Sequence, residues 1–330
     1  MSSQPNPTAS GDTPTASKPA WAGTDWLSQI VNRLIQTKPL YAVMKRQARQ
    51  VMIRTAEKNG IPWRAKVHHL EQLGLEQRLP EIVDLTVTYP DYYQKPFHAY
   101  DEGNLCWLAA FEAEAATQAM ALRVWPQESI SWQEAQHRLR SGFYQILASY
   151  CPSPRKILDV GCSVGISTQA IHQYFQTKRS GQEPVLQTTG LDLSPYMLAV
   201  AQVLDQNRMI QEWRHAQAEN TQFPDSTFDL ITLQFVIHEL PRQATYSIFQ
   251  EALRILRPGG CLGILDNNPQ SPVIQSLPPA LFTLMKSTEP WTDDYYTFDV
   301  PVALQRIGFD HKVTVVTDPR HRGLVAIKPE

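Results

Sequence analysis

The sequence predicts an α/β protein with a doubly wound parallel sheet, an N-terminal helical cap and a C-terminal antiparallel hairpin. Three observations carry that expectation. From residue 156 onward, short apolar runs alternate with segments of helical spacing. The runs are KILDV (156–160), TTGLDL (188–193), EWRHAQA (212–218), FDLITLQFV (228–236) and CLGILD (261–266); STQAIHQYF, SPYMLAVAQVL and TYSIFQEALRIL lie between them. Such alternation implies right-handed crossovers between parallel strands. The last two runs, KVTVV (312–316) and LVAIK (324–328), are joined by a short turn through Asp318-Pro319, which predicts an antiparallel hairpin. Upstream, the apolar spacing is helical.

The elements follow in order. Residues 1–24 are rich in Ser, Thr, Pro and Ala, with Asp12 and Lys18 as their only charges, and read as a disordered tail. From Trp26 to about Trp63 the pattern is helical, with Leu40, Met44, Ala48, Val51, Met52 and Thr55 forming one stripe. Residues 89–107, YPDYYQKPFHAYDEGNLCW, are dense in aromatics and prolines and read as an ordered loop. A helix is expected from Leu108 to Trp125. Another starts at Ser131, with Glu134 completing a capping box, and runs to Tyr150. The expected division is a tail (1–24), a cap on the substrate side (25–139) and a core domain (140–330).

Composition narrows the function. The 330 residues carry 30 Lys+Arg against 32 Asp+Glu, a net charge of -2, which argues against a dedicated nucleic-acid binder. Cys106, Cys151, Cys162 and Cys261 are too scattered for a disulfide framework or a zinc site, and no metal is expected. No apolar run is long enough to span a membrane, so a cytoplasmic location is the default. The charge is uneven, however. Residues 26–66 hold nine Lys+Arg and one acid. Either these cations form a solvated face, or the stretch makes peripheral contact with an anionic membrane surface.

The strongest chemical signal is the run from Ile157 to Thr168, ILDVGCSVGIST. A buried strand enters a tight turn with Gly161 and Gly165, and a helix follows. In an open α/β sheet, ligands sit at such strand C-termini. Asp159 places a carboxylate beside the turn, and Gly161 lets a ligand approach the backbone closely. A second acid, Asp192, ends the next strand, where a carboxylate accepts from ribose hydroxyls. Ser163 breaks the G-x-G-x-x-G dinucleotide fingerprint.

DVGCSVG, GLDLS, AQAENTQFPDSTFDLITLQFVIHEL and LRPGG (256–260) occur in this order. Together they resemble the class I S-adenosylmethionine-dependent methyltransferases, in particular the ubiquinone/menaquinone-methyltransferase-like group, over residues 140–328. With YPDYYQKPFHAYDEGN upstream, the longer pattern resembles uncharacterised cyanobacterial and plastid members. The resemblance implies a Rossmann-like methyltransferase sheet and S-adenosylmethionine as cofactor. Asp159, Gly161, Cys162, Ser163 and Gly165 would form the turn around its methionine part. Asp192 would hold the ribose, Leu193 would pack on the adenine, Gln217 and Ala218 would meet the adenine edge, and Gln234 and Phe235 would line the floor. Ser163 and Gln217 depart from the glycine and aspartate common in the family.

Methyl transfer from a sulfonium needs alignment and often a base. His238, after the fourth strand, is the first candidate base; a structural place at a helix start is the alternative. In this superfamily, helices before the core cap the acceptor site. Tyr92, Tyr93, Phe97, His98 and Tyr100, with Trp291 and Tyr295 from WTDDYYTF, would then wall a pocket for a small apolar or aromatic acceptor, methylated on oxygen or carbon. Packing of cap on sheet is the bland alternative. At the level of the whole protein, the alternative to an enzyme is a catalytically silent binding or regulatory protein of the same fold.

Overall fold

The computed structural model describes residues 38–330 apart from 99, 182–183, 279–282 and 284–286. The expected tail, and the basic stretch before residue 38, lie outside the described residues.

The cap begins with α1 (Lys38–Lys58), broken at Asn59-Gly60-Ile61-Pro62, and continues with α2 (Trp63–Glu71) and the single turn α3 (Leu79–Ile82). The aromatic segment is irregular, as expected, and leads into α4 (Trp107–Leu122) and α5 (Trp132–Tyr150). The Ser131 hydroxyl accepts the Glu134 amide at 3.1 Å, so the expected cap forms. The apolar stripe of α1 is rotated from its expected position. Ile53 and Ala56 are buried against Ala115 and Ala119 of α4, while Ala48, Val51 and Thr55 face solvent. Arg49 explains the rotation. Its guanidinium clamps Glu112 of α4, which is 1% exposed and also accepts from Trp63 Nε1 at 2.9 Å and Tyr100 Oη at 2.7 Å. A buried carboxylate needs such partners, and satisfying it decides which face of α1 turns inward.

The core then alternates: β1 (Lys156–Val160), α6 (Ile166–Thr177), β2 (Gln187–Asp192), α7 (Pro195–Leu204), β3 (Glu212–His215), β4 (Phe228–Gln234), α8 (Arg242–Ile255) and β5 (Leu256–Asn267). The short helices α9 (Pro272–Gln275) and α10 (Thr292–Tyr296) precede α11 (Val300–Ile307), β6 (Asp310–Val316) and β7 (His321–Ile327). Ser194 caps α7, accepting the Met197 amide, with Pro195 in the first turn. The seven-stranded sheet has the order β3-β2-β1-β4-β5-β7-β6. β1 to β5 are parallel, and β7 enters antiparallel between β5 and β6. The hairpin therefore forms as expected, with its second strand innermost. β3 stops at His215, short of the expected Ala218, where Gln217 bridges to Asn220.

One face of the sheet buries Ile157, Leu230, Leu265 and Val325 under Phe143 and Leu147 of α5 and Ile171 and Phe175 of α6. Leu158, Ile231, Leu233 and Ile264 pack with Phe249 of α8 and Leu304 of α11 in a second cluster. The cap docks through Ala110 and Phe111 of α4 onto Met197 and Val200 of α7. That docking brings the aromatic segment over the C-terminal ends of β2 and β3.

Candidate active site

The β1–α6 turn is held from both sides. The amides of Gly161 and Cys162 donate to the Leu191 carbonyl at 2.8 and 3.0 Å. Gly165 has φ +81°, and a Cβ there would lie 2.3 Å from the Trp213 ring. Gly161 has φ +69°, and its Cβ would meet Val236 at 2.6 Å. Neither position admits a side chain. Ser163 is also left-handed, at φ 50°, a backbone conformation that favours glycine. Its amide donates to Asp192 Oδ2 at 2.7 Å, joining the turn to the end of β2.

Asp159 and Gln234 serve this turn from below. Oδ2 of Asp159 accepts from Ser167 and Thr168, and Oδ1 from Thr232 and Gln234, at 2.7 to 3.3 Å. Four donors fill its acceptor capacity, so it braces β1, α6 and β4 together. Gln234 is engaged by Asp159 and by the Tyr144 hydroxyl at 3.1 Å. Phe235 has φ 61° and sets its ring edge-on to His321 at 5.0 Å. The Cys162 thiol is buried and pushed well up by desolvation.

Asp192, at the end of β2, is buried beneath the cap. Its oxygens accept the amides of Ser163 and Ser194, at 2.7 and 2.8 Å, and the Tyr93 side chain lies beside it. Burial still wins and raises the carboxyl to about 6.

Residues 84–104 form a strap across this edge. The Asp84 amide donates to His215 Nδ1 at 3.0 Å, which fixes the other ring nitrogen as the N–H carrier; it donates to the Leu193 carbonyl at 3.1 Å. The Gln217 side-chain amide donates to the Thr88 carbonyl, and Ala218 packs behind it on the core. The Ser194 hydroxyl donates to the Asn104 carbonyl at 2.7 Å. Tyr92 donates to Glu219 at 2.5 Å. Tyr92, Tyr93 and Phe97 from the strap, Trp291 from the segment before α10, and Glu239 after β4 then line one cavity of about 30 Å³. The two aromatic walls, far apart in sequence, do meet.

A charged cluster backs this cavity. His238 Nδ1 lies 2.7 Å from Asp266, the penultimate residue of β5, which is fully buried. Glu239 Oε1 is 3.9 Å from Nε2 of both His238 and His98, and His98 is equally far from Glu289. Desolvation disfavours a charged His238, but Asp266, Glu239 and Glu289 outweigh it and raise the imidazole to about 10. Burial raises Glu239 to about 8, against the pull of His238. Burial and His238 hold His98 below its ordinary value. Among the described residues, no group of three His, Cys, Asp or Glu is arranged to hold a metal ion.

Two expected wall residues lie elsewhere. Tyr100 turns into the cap, where its hydroxyl bonds Glu112. Tyr295 lies beneath His238, ring centroids 6.2 Å apart, with its hydroxyl on the Asn267 carbonyl. In both cases a buried hydroxyl had to find an acceptor, and that choice aimed the ring. Asp266, Glu289 and His215 were missed in the sequence. Asp266 carried a readable signal, as a third acid ending a core strand after Asp159 and Asp192.

Residues 158–264 match the methyltransferase domain family. The demethylmenaquinone methyltransferase of Lactiplantibacillus plantarum is 33% identical over 123 residues, 36% of this chain and 48% of that protein. Over residues 158–264 the chain is thus similar to methyltransferase domains. An uncharacterized methyltransferase of Synechocystis is 31% identical over 150 residues, 44% of this chain and 64% of its own length. The chain spans about half the length of the first curated relatives it matches. Among solved structures, a SAM dependent methyltransferase from Aquifex aeolicus aligns over 63% of this chain and 97% of its own, with 17% identity and a TM-score of 0.44. A protein of Pyrococcus horikoshii aligns over 64% and 99%, with 17% identity and a TM-score of 0.46.

The sequence motifs imply S-adenosylmethionine as cofactor. The residues present fit it. Asp192 keeps acceptor capacity beyond its two amides, and the glycine turn leaves backbone exposed. The strap holds the Asp192 and Gln217 positions through Tyr93 and Thr88.

Proposed function

We propose that the protein transfers a methyl group from S-adenosylmethionine to a small acceptor, apolar or aromatic, seated between the strap and Trp291. The observation that carries this reading is the one cavity shared by Tyr92, Tyr93, Phe97, Trp291 and Glu239, with Tyr93 lying between it and Asp192. When bound, the cofactor supplies a methyl already activated on a sulfonium. Asp192 holds the ribose hydroxyls, Leu193, Gln217 and Ala218 face the adenine, and the Gly161–Gly165 turn receives the methionine part. The aromatic walls orient the acceptor and exclude water from it.

The proton of an acceptor hydroxyl or acidic carbon goes to Glu239. His238 is held charged by Asp266 and is a poor proton acceptor, whereas Glu239 lines the cavity and accepts a proton in its ionised form, which burial confines largely to pH above about 8. His238, the first candidate by sequence, then supports Glu239 electrostatically. The test is incubation with methyl-labelled S-adenosylmethionine and a lipid-soluble cell extract. Transfer of label to an extractable small molecule is expected. Cofactor binding without transfer to any extract would favour the catalytically silent alternative.

We also propose that α1 touches an anionic membrane surface. No helix among the described residues is long and apolar enough to cross a membrane. Val51, 62% exposed, stands among the exposed cations Arg46, Arg54 and Lys58. Flotation with anionic vesicles should recover the protein at low salt and lose it at high salt. Absence from the vesicle fraction at low salt would end this proposal.

A further inference from the structure

Arginines gather at the end of the sheet where β7 begins. Arg322 is the second residue of β7, and the strand register sets it directly across from Asp266 of β5 and Val316 of β6. It is partly buried, and its Nε and Nη2 are shielded from solvent without a hydrogen-bond partner. Asp266 does not close a pair with it. Oδ1 of Asp266 meets His238 Nδ1 and the Asn267 amide, both at 2.7 Å, and Oδ2 accepts the His238 amide at 3.3 Å. Arg320, in the turn before β7, is also partly buried. Burial and the neighbouring guanidinium of Arg123, at the end of α4, hold it below its ordinary pKa. The acid nearest to it in sequence, Asp318, is turned to His321 Nδ1 with both oxygens, at 2.9 and 2.8 Å. Among the described residues, Arg123, Arg320 and Arg322 form no ion pair. The contrast with Arg49 is direct, because Arg49 meets the buried Glu112 through two donors.

These cations border the cluster that backs the cavity. Tyr296, which ends α10, interacts electrostatically with Glu289 and Asp266 of that cluster and also with Arg320 and Arg322. Tyr295 lies beneath His238 and interacts with Arg322 as well. Trp291, which walls the cavity, immediately precedes α10, so Tyr296 stands roughly 7.5 Å further along the helix axis. A ring against Trp291 with a short acidic substituent spans such a distance. Guanidiniums with unused donors match carboxylate and phosphate oxygens, and an anion there would satisfy the shielded donors and relieve the repulsion between the cations. We infer that Arg320 and Arg322 bind an oxyanion, a carboxylate or a phosphate, borne by the acceptor. The acceptor is then an aromatic or apolar molecule with an acidic group, held by its ring at Trp291 and by its charge at the start of β7. This rests on the methyl transfer proposed above and narrows its acceptor.

The labelled product of the transfer experiment should be retained by an anion exchanger at neutral pH. A labelled product that passes unretained overturns the oxyanion and leaves methyl transfer intact, whereas no labelled product from any extract removes both. Calorimetry on the full chain, saturated with S-adenosylhomocysteine, gives a second readout with benzoate, phenyl phosphate, the neutral benzamide and inorganic phosphate as probes. Benzoate or phenyl phosphate should bind about 10-fold more tightly than benzamide, as expected for a charge-assisted contact. Arg322→Met should bring that ratio close to one and leave benzamide within about twofold. Arg320→Gln, in the turn before the strand, should reduce the ratio in part, and it carries the test if thermal unfolding shows that Arg322→Met does not fold. Inorganic phosphate should bind more weakly than phenyl phosphate, because it lacks the ring. Equal affinity for the anionic and neutral probes, a preference that survives both substitutions, or equal binding of inorganic and phenyl phosphate would each overturn the proposal.

Discussion

The Tyr93 hydroxyl lies beside the Asp192 carboxylate across the seam between cap and sheet. A residue from the irregular segment thus contacts the carboxylate assigned to the ribose. Cap and cofactor site are therefore one mechanical unit, and the strap must shift when the nucleoside enters. The shared cavity, about 30 Å³, has room for a water molecule and not for an aromatic acceptor.

Asp192→Ala should weaken S-adenosylmethionine binding by about 10- to 100-fold in calorimetry, through loss of charge-assisted bonds to the ribose. Tyr93→Phe should act in the opposite direction on kinetics, raising the association rate by removing one closing contact. An unchanged affinity in Asp192→Ala would refute the ribose assignment.

Hydrogen exchange should report strap movement. The Asp84 amide, bonded to His215, and the Phe97 and Tyr100 amides, bonded to each other's carbonyls, should change protection when S-adenosylmethionine saturates the protein. His215→Phe should raise exchange at Asp84 without cofactor. Identical exchange with and without cofactor would exclude a moving strap.

His238 links stability to pH. Its folded pKa is raised to about 10, so its contribution is complete below the ordinary histidine value of roughly 6.5 and disappears as pH rises through 10. Glu239, raised to about 8, adds a change of the same sign at lower pH. The melting temperature should therefore fall between about pH 7 and pH 10. Asp266→Asn should flatten that fall and cost about 3 kcal/mol at neutral pH, because it leaves His238 without its buried partner. A melting temperature that rises over this interval would contradict the His238–Asp266 pairing.

Glu112 ties the cap together. Glu112→Gln removes the charge that Arg49, Trp63 and Tyr100 converge on, and should destabilise the protein by about 3 kcal/mol in denaturant unfolding. It should also loosen the strap, since Tyr100 leaves it to reach Glu112. Arg49→Met combined with Glu112→Met should recover much of the loss, because replacing a whole buried pair by apolar groups is tolerated far better than breaking it.

By itself, the sequence determined the alternation of strands and helices, the β1–α6 turn and the acid ending β2. Each is a local matter: strand and helix periods, left-handed backbone at Gly161 and Gly165, and helix caps at Ser131 and Ser194 are decided within a few residues. The terminal hairpin was legible for the same reason. Tertiary structure alone decided which face of α1 turns inward, that Tyr93 meets Asp192 while Tyr100 meets Glu112, and that His238 is tied to Asp266. These depend on pairings across 12 to 99 positions, and a buried charge or hydroxyl takes whichever partner the packed chain brings within reach, which no local period records.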